Sequence, residues 1–256
     1  MNAANPRAMA RNTMLLAALS IALTEGAVAA AAPLPVLLVI PNQDFYYAEY
    51  RATRTSLEAR GLSVVVAAGE ARDALPQESG IRSPVRPDVL LSNSSAHDYS
   101  AVVFVGGWGA SSYQYAFEGH YYNIAYQPRP VVTREVNRLI NEFIASDKPV
   151  AGVCHGVTVL AWARVDGASP LRGHVVVGPA GGLPAFRYDG IDYPDAQQPA
   201  RWQVERNGAT MLTAYSVGNP LHSQDDVWVD GRIITAQDYQ SSGRMADLLK
   251  QQLDDR

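Results

Sequence analysis

One stretch constrains this chain more than any other: Lys148-Pro149-Val150-Ala151-Gly152-Val153-Cys154-His155-Gly156-Val157-Thr158-Val159-Leu160. A short apolar run ends in Gly-Val-Cys-His-Gly, and a second apolar run, compatible with a helix, follows. Gly-x-nucleophile-x-Gly between a strand and a helix is a nucleophile elbow. Its central residue takes a strained backbone conformation, so the residues two before and two after it must be small. Such a turn lifts the Cys154 thiol above the carboxyl edge of a sheet, at the amino end of the next helix. Unpaired N–H groups and the helix dipole there favour thiolate over thiol. His155 supplies an adjacent base or imidazolium partner. The bland reading of a lone cysteine is a small buried hydrophobe. Both glycines, the histidine and the strand-to-helix setting point to a nucleophile instead.

The 256 residues, 47% of them hydrophobic, suffice to bury a large core as one α/β domain, with or without insertions. A formal charge of −4 and a pI near 5.7 leave no basic footprint for nucleic acid or an anionic membrane. The amino terminus differs in kind. Arg7 and Arg11 precede the apolar run Met14–Leu23, and small residues continue through Ala27-Val28-Ala29-Ala30-Ala31-Ala32. This order describes a secretory signal peptide over residues 1–30, leaving a domain over 33–256. The apolar run is short for a membrane span, which would be the uncleaved alternative. The expected protein is therefore exported, periplasmic or secreted, with no stable membrane insertion after cleavage. Its single cysteine excludes an internal disulfide.

In chain order, Pro35–Ile40 reads as a strand buried on both faces, and a helix follows from Tyr47 to Arg60, stopped by Gly61. Leu62–Ala67 is a second strand, and this β-α-β unit implies parallel pairing with a right-handed crossover. Residues 68–88, with Pro76, Pro84 and Pro87, read as loop, and Val89-Leu90-Leu91 as a short extra strand. Ala101–Val105 is a third buried strand ending in Gly106-Gly107-Trp108-Gly109. Residues 110–130 are dense in aromatics: Tyr113, Tyr115, Phe117, Tyr121, Tyr122 and Tyr126, with Glu118 and His120 among them. They read as a lid or pocket wall, or as a patch that packs or forms an interface. Val136, Leu139, Ile140, Phe143 and Ile144 mark an amphipathic helix. Beyond the elbow, His174–Val177 is a strand and residues 178–208 look like a surface insertion. Val227–Thr235 carries Asp230-Gly231 between apolar runs, a hairpin signal, and a last helix runs from Ser242 to Leu253.

With these residues in order, the sequence resembles the ThiJ/PfpI family over roughly residues 35–253. The carriers are Ala151–Gly156, the Gly106-Gly107 pair, Glu49 in the first helix and the Val229–Thr235 hairpin. The resemblance implies a three-layer α/β sandwich with a mostly parallel central sheet, flavodoxin-like and class I glutamine amidotransferase-like. It implies Cys154 as nucleophile, Glu49 as the carboxyl bonded to the thiol, and His155 as general base. The N–H groups of Gly107 and His155 would form an oxyanion hole. Burial beside a thiolate should raise the Glu49 pKa. A homodimer is implied as well. Two departures stand out. No carboxylate follows the glycine pair at the spacing where some relatives complete a Cys-His-acid triad, Glu118 being the available substitute. The segments near 110–130 and 178–208 also exceed the compact family core. Trp108, Tyr113, Tyr115, Glu118 and His120 are the candidate substrate-pocket residues.

His97, His120, His174 and His222 are too dispersed to argue for a metal. No phosphate-cradling or dinucleotide glycine pattern appears, so no cofactor is expected. The leading expectation is a cysteine-dependent enzyme acting on a small-molecule carbonyl or acyl substrate, through glyoxalase- or deglycase-like chemistry or amide hydrolysis. The alternative is a non-enzymatic stress protein, either a holdase or an oxidant sensor using Cys154 reversibly.

Overall fold

The apolar runs read as buried strands pair side by side in the computed structural model, which describes Met1 and residues 33–78, 83–194 and 200–255. Seven strands form the central sheet: β1 (Val36–Val39), β2 (Val64–Ala68), β3 (Val89–Leu90), β4 (Ala101–Phe104), β5 (Val150–Val153), β6 (Val227–Asp230) and β7 (Ile233–Ala236). Their spatial order is β6-β7-β5-β4-β1-β2-β3, and every pairing is parallel except the β6–β7 hairpin. A strand in such a sheet is covered on both faces, so no position needs to be polar. Leu37, Val39, Val102 and Phe104 join one core cluster and Val36, Leu38 and Val103 the other. The proposed secretory leader lies outside the described residues. Among the described residues, no helix is long and apolar enough to cross a membrane.

Helix α1 (Tyr47–Glu58) ends against Gly61, whose φ of 75° suits glycine. Helix α2 (Pro130–Ala145) starts with proline in its first turn and buries Leu139, Ile140 and Phe143 completely. Each of these side chains contributes about 1.5–3 kcal/mol of apolar burial. Helix α2 and the elbow helix α3 (Gly156–Trp162) cover one face of the sheet; α1 and α5 (Ser242–Asp254) cover the other.

Two segments depart from the sequence reading. The region 178–208, expected as a surface insertion, contains strands Phe186–Tyr188 and Ile191–Tyr193 and helix α4 (Ala200–Arg206). Strand Phe186–Tyr188 pairs with His120–Tyr121 of the aromatic segment. Together they bury Phe117, Tyr121, Tyr126, Trp162, Leu183, Phe186 and Tyr188 in a satellite core beside α3. Its polar composition misleads because each tyrosine brings an apolar ring along with one hydroxyl. Gln114 donates to Gln203 Oε1 and Thr158 Oγ1, Tyr121 Oη donates to Gln114 Oε1, and Trp162 Nε1 donates to Gln203 Oε1, all four bonds being 2.7–2.9 Å. The second departure is Val175–Val176, which pairs with Thr210–Met211 outside the main sheet.

Candidate active site

The parallel sheet brings the ends of β1, β4 and β5 to one edge, where ligand crevices form in open α/β sheets. Cys154 follows β5 with φ 53°, a left-handed conformation that side chains rarely adopt. The flanking glycines are required by contact. A Cβ on Gly156 would lie 2.1 Å from the Phe104 carbonyl oxygen, and one on Gly152 3.0 Å from the Val157 nitrogen. The Cys154 N–H donates to Ala236 O of β7, which ties the elbow to the hairpin edge.

His155 is buried, with its two ring nitrogens 3.3 Å from Cys154 Sγ (Nδ1) and 3.0 Å from the Gly182 carbonyl oxygen (Nε2). A carbonyl only accepts, so Nε2 carries the proton and Nδ1 presents its lone pair to the thiol. Burial pulls the His155 pKa down to about 4, so the ring is neutral at pH 7. The acceptor that orients it is thus a backbone carbonyl from the 178–208 segment. Glu118, the substitute carboxylate expected from sequence, is exposed and is not that acceptor. Backbone carbonyls leave no trace in a sequence, so this partner could not be read there.

Glu49 lies in the first turn of α1 and is fully buried. Its Oε1 accepts from the Gly106 N–H, while Oε2 is buried without a hydrogen-bond partner. Burial pushes its pKa up to about 8, against the pull of the Gly106 N–H and the Cys154 thiol, so the carboxyl holds a proton at neutral pH. With Oε1 taken, that proton belongs on Oε2. The thiol is near enough to perturb this carboxyl but stands outside hydrogen-bond geometry with it.

The thiol corrects a second expectation. Cys154 is half-buried, and loss of hydration pushes its pKa well up, with the Glu49 charge acting the same way; the His155 N–H pulls it down and loses. The helix terminus anticipated from sequence is outweighed, because stripping water from a thiolate costs more than the short, seven-residue α3 returns. The resting group is a thiol facing a neutral imidazole.

The glycine pair is pressed against the elbow. A Cβ on Gly106 would lie 2.6 Å from the His155 nitrogen, and one on Gly107 (φ 87°) would lie 2.4 Å from both Asp44 O and Tyr46 N. Of the expected pocket residues, Trp108 remains at this edge, half-buried, its N–H donating to Gln77 Oε1. Tyr113 is buried away from the opening, its hydroxyl donating to Ile40 O and accepting from the Gly69 N–H. Tyr115 and His120 are exposed, the latter on the strand paired with Phe186–Tyr188. The segment follows α3 toward Trp162, as the Ala116 N–H bond to the Trp162 carbonyl shows, because its rings are drawn into the satellite core.

The structure adds residues the sequence did not suggest. Tyr46, half-buried, has its ring centroid 6.2 Å from that of Tyr239. Glu78 Oε2 accepts from the Tyr47 N–H at the start of α1, and Asp238 lies two residues past Ala236. Their sequence surroundings are ordinary loop; only the meeting of three loops brings them to the Glu49 end of the site. Among the described residues, no group of three or more His, Cys, Asp or Glu could hold a metal ion.

No family sequence model and no curated protein matches the chain. Solved structures do. The chain is similar to a ThiJ/PfpI domain protein from Brachyspira murdochii, with a TM-score of 0.61, 21% identity, and coverage of 87% of this chain and 97% of that one. The rapid encystment protein of Francisella tularensis gives a TM-score of 0.61 at 15% identity, covering 86% and 99%. DJ-1beta of Drosophila melanogaster gives 0.59 at 16% identity, covering 88% and 92%. The chain shares its fold with the solved ThiJ/PfpI and DJ-1 proteins it is similar to.

Proposed function

We propose that the chain is a cysteine-dependent enzyme acting on small carbonyl or acyl compounds, by glyoxalase- or deglycase-like addition or by amide hydrolysis. The observation that carries this reading is the Cys154–His155 pair: a left-handed cysteine whose thiol faces the unprotonated Nδ1 of an imidazole locked by Gly182. With an aldehyde, Sγ bonds to the carbonyl carbon as the thiol proton passes to Nδ1. The C=O π pair moves to oxygen, where the N–H groups of Gly107 and His155 hold it. The oxygen then takes a proton from His155 or Glu49, giving a neutral hemithioacetal. With an amide, the amine leaves carrying that proton and water cleaves the thioester.

In this reading Glu49 is a proton donor stationed beside the sulfur, and Gly182 positions the base. The test is turnover of small dicarbonyls and amides by the wild type and by Cys154→Ala. Loss of turnover with a nearly unchanged melt supports the proposal; full activity in the variant overturns it. If no substrate turns over and peroxide instead leaves a stable, reducible adduct in intact mass, the oxidant-sensor reading takes its place. We further propose an exported homodimer, to be checked by amino-terminal sequencing of the mature chain and by light scattering.

A further inference from the structure

Two further acids, Glu78 and Asp238, stand near enough to Glu49 for their charges to act on it. Geometry puts them there. Glu78 is held by the Tyr47 N–H, two residues from Glu49, while the neighbouring Gln77 side chain accepts from the Trp108 N–H. The strap carrying both therefore crosses the glycine turn. On the other side, Asp238 Oδ1 accepts from the Gln240 N–H and from Ser223 Oγ, which holds it just past the Ala236 carbonyl bonded to Cys154. Tyr46 adjoins Tyr47, which holds Glu78, and Tyr239 adjoins Asp238; their rings meet with centroids 6.2 Å apart at 60°, Tyr239 being 40% exposed. Aromatic rings and carboxylates together attract cations and repel anions.

We infer that this mouth selects substrates bearing positive charge near the reacting carbon, such as a protonated amine or guanidinium, over carboxylate- or phosphate-bearing ones, with Glu78 and Asp238 supplying the charge and Tyr46 and Tyr239 the ring surface. The inference rests on the reading of Cys154 as an accessible nucleophile.

The single cysteine allows a direct test on the mature chain at low ionic strength. Three methanethiosulfonates of similar size, one neutral, one trimethylammonium and one sulfonate, transfer their alkylthio group to Sγ and release methanesulfinate. Rates are followed by intact mass and divided by those for a small free thiol. The expected cation-to-anion ratio is about tenfold or more, shrinking as salt is raised. Glu78→Gln and Asp238→Asn should each lower the ratio several-fold, whereas Glu58→Gln at the far end of α1 should not move it. A ratio near one, or one indifferent to both substitutions, overturns the inference while the nucleophile reading stands. Failure of the neutral reagent to label Cys154 overturns both.

Discussion

Glu49 and His155 are buried beside the same sulfur, and burial moves their pKa values in opposite senses because it disfavours whichever form is charged. Glu49 titrates near 8 in the fold against about 4.5 in the free chain, so the folded state holds its proton across that window. Its stabilising effect is complete at low pH and is lost as pH rises through about 8. His155 titrates near 4 against 6.5, so the folded state sheds its proton, and stability is lost as pH falls toward 4. Glu49→Gln should therefore remove the fall of melting temperature with pH that Glu49 gives between about 5 and 8, and, by taking away that opposing slope, steepen the rise that His155 gives below pH 6.5. An unaltered slope above neutrality would assign it to other groups. The thiol itself should alkylate with iodoacetamide slowly at pH 7, and faster as pH rises past its ordinary value, since its pKa is raised. A rate plateau already reached near neutral pH would show that the helix terminus wins after all.

The elbow works as an element because three backbone segments approach too closely to admit a Cβ. Gly156→Ala would place a carbon 2.1 Å from the Phe104 carbonyl oxygen at the heart of the sheet. It should cost more than about 3 kcal/mol in urea denaturation. Gly61→Ala is the matched contrast. That glycine also has positive φ, but nothing lies within 4 Å of its missing Cβ. It should cost only about 1–2 kcal/mol, the strain of the left-handed conformation itself. Equal costs at the two sites would remove the packing explanation for the Gly-x-Cys-His-Gly spacing.

Across the whole molecule, the 110–130 and 178–208 segments form a second small core against α3, and that core sets the acceptor for His155. Phe186, fully buried among Phe117, Tyr121, Tyr193 and Trp202, should cost about 3–5 kcal/mol when replaced by alanine. Gln203→Leu would leave Gln114, Tyr121 and Trp162 short of buried partners, at about 1–3 kcal/mol for each polar group left unpaired. Both are checked by denaturant titration. Near-neutral results would mean that the satellite layer is docked loosely.

The sheet and the elbow are legible in the chain alone. Both are written in local patterns: apolar runs long enough for strands, glycines where no Cβ fits, a helix period in Val136, Leu139, Ile140 and Phe143. Glu49 was legible only through family resemblance, since its burial comes from residues far along the chain. Features without a local pattern come from the tertiary arrangement. Gly182 reaches His155 through a carbonyl that every residue possesses. Glu78 and Asp238 both come within reach of Glu49 from loops 160 residues apart. Of the residues expected to line a pocket, Tyr113 is buried in the main core and Tyr115, Glu118 and His120 stand exposed, while their neighbours Phe117 and Tyr121 fill the satellite core, where burying the rings removes apolar surface from water. The protonation of Cys154 likewise followed from how much water the fold excludes, a quantity set by three-dimensional packing rather than by neighbours in sequence.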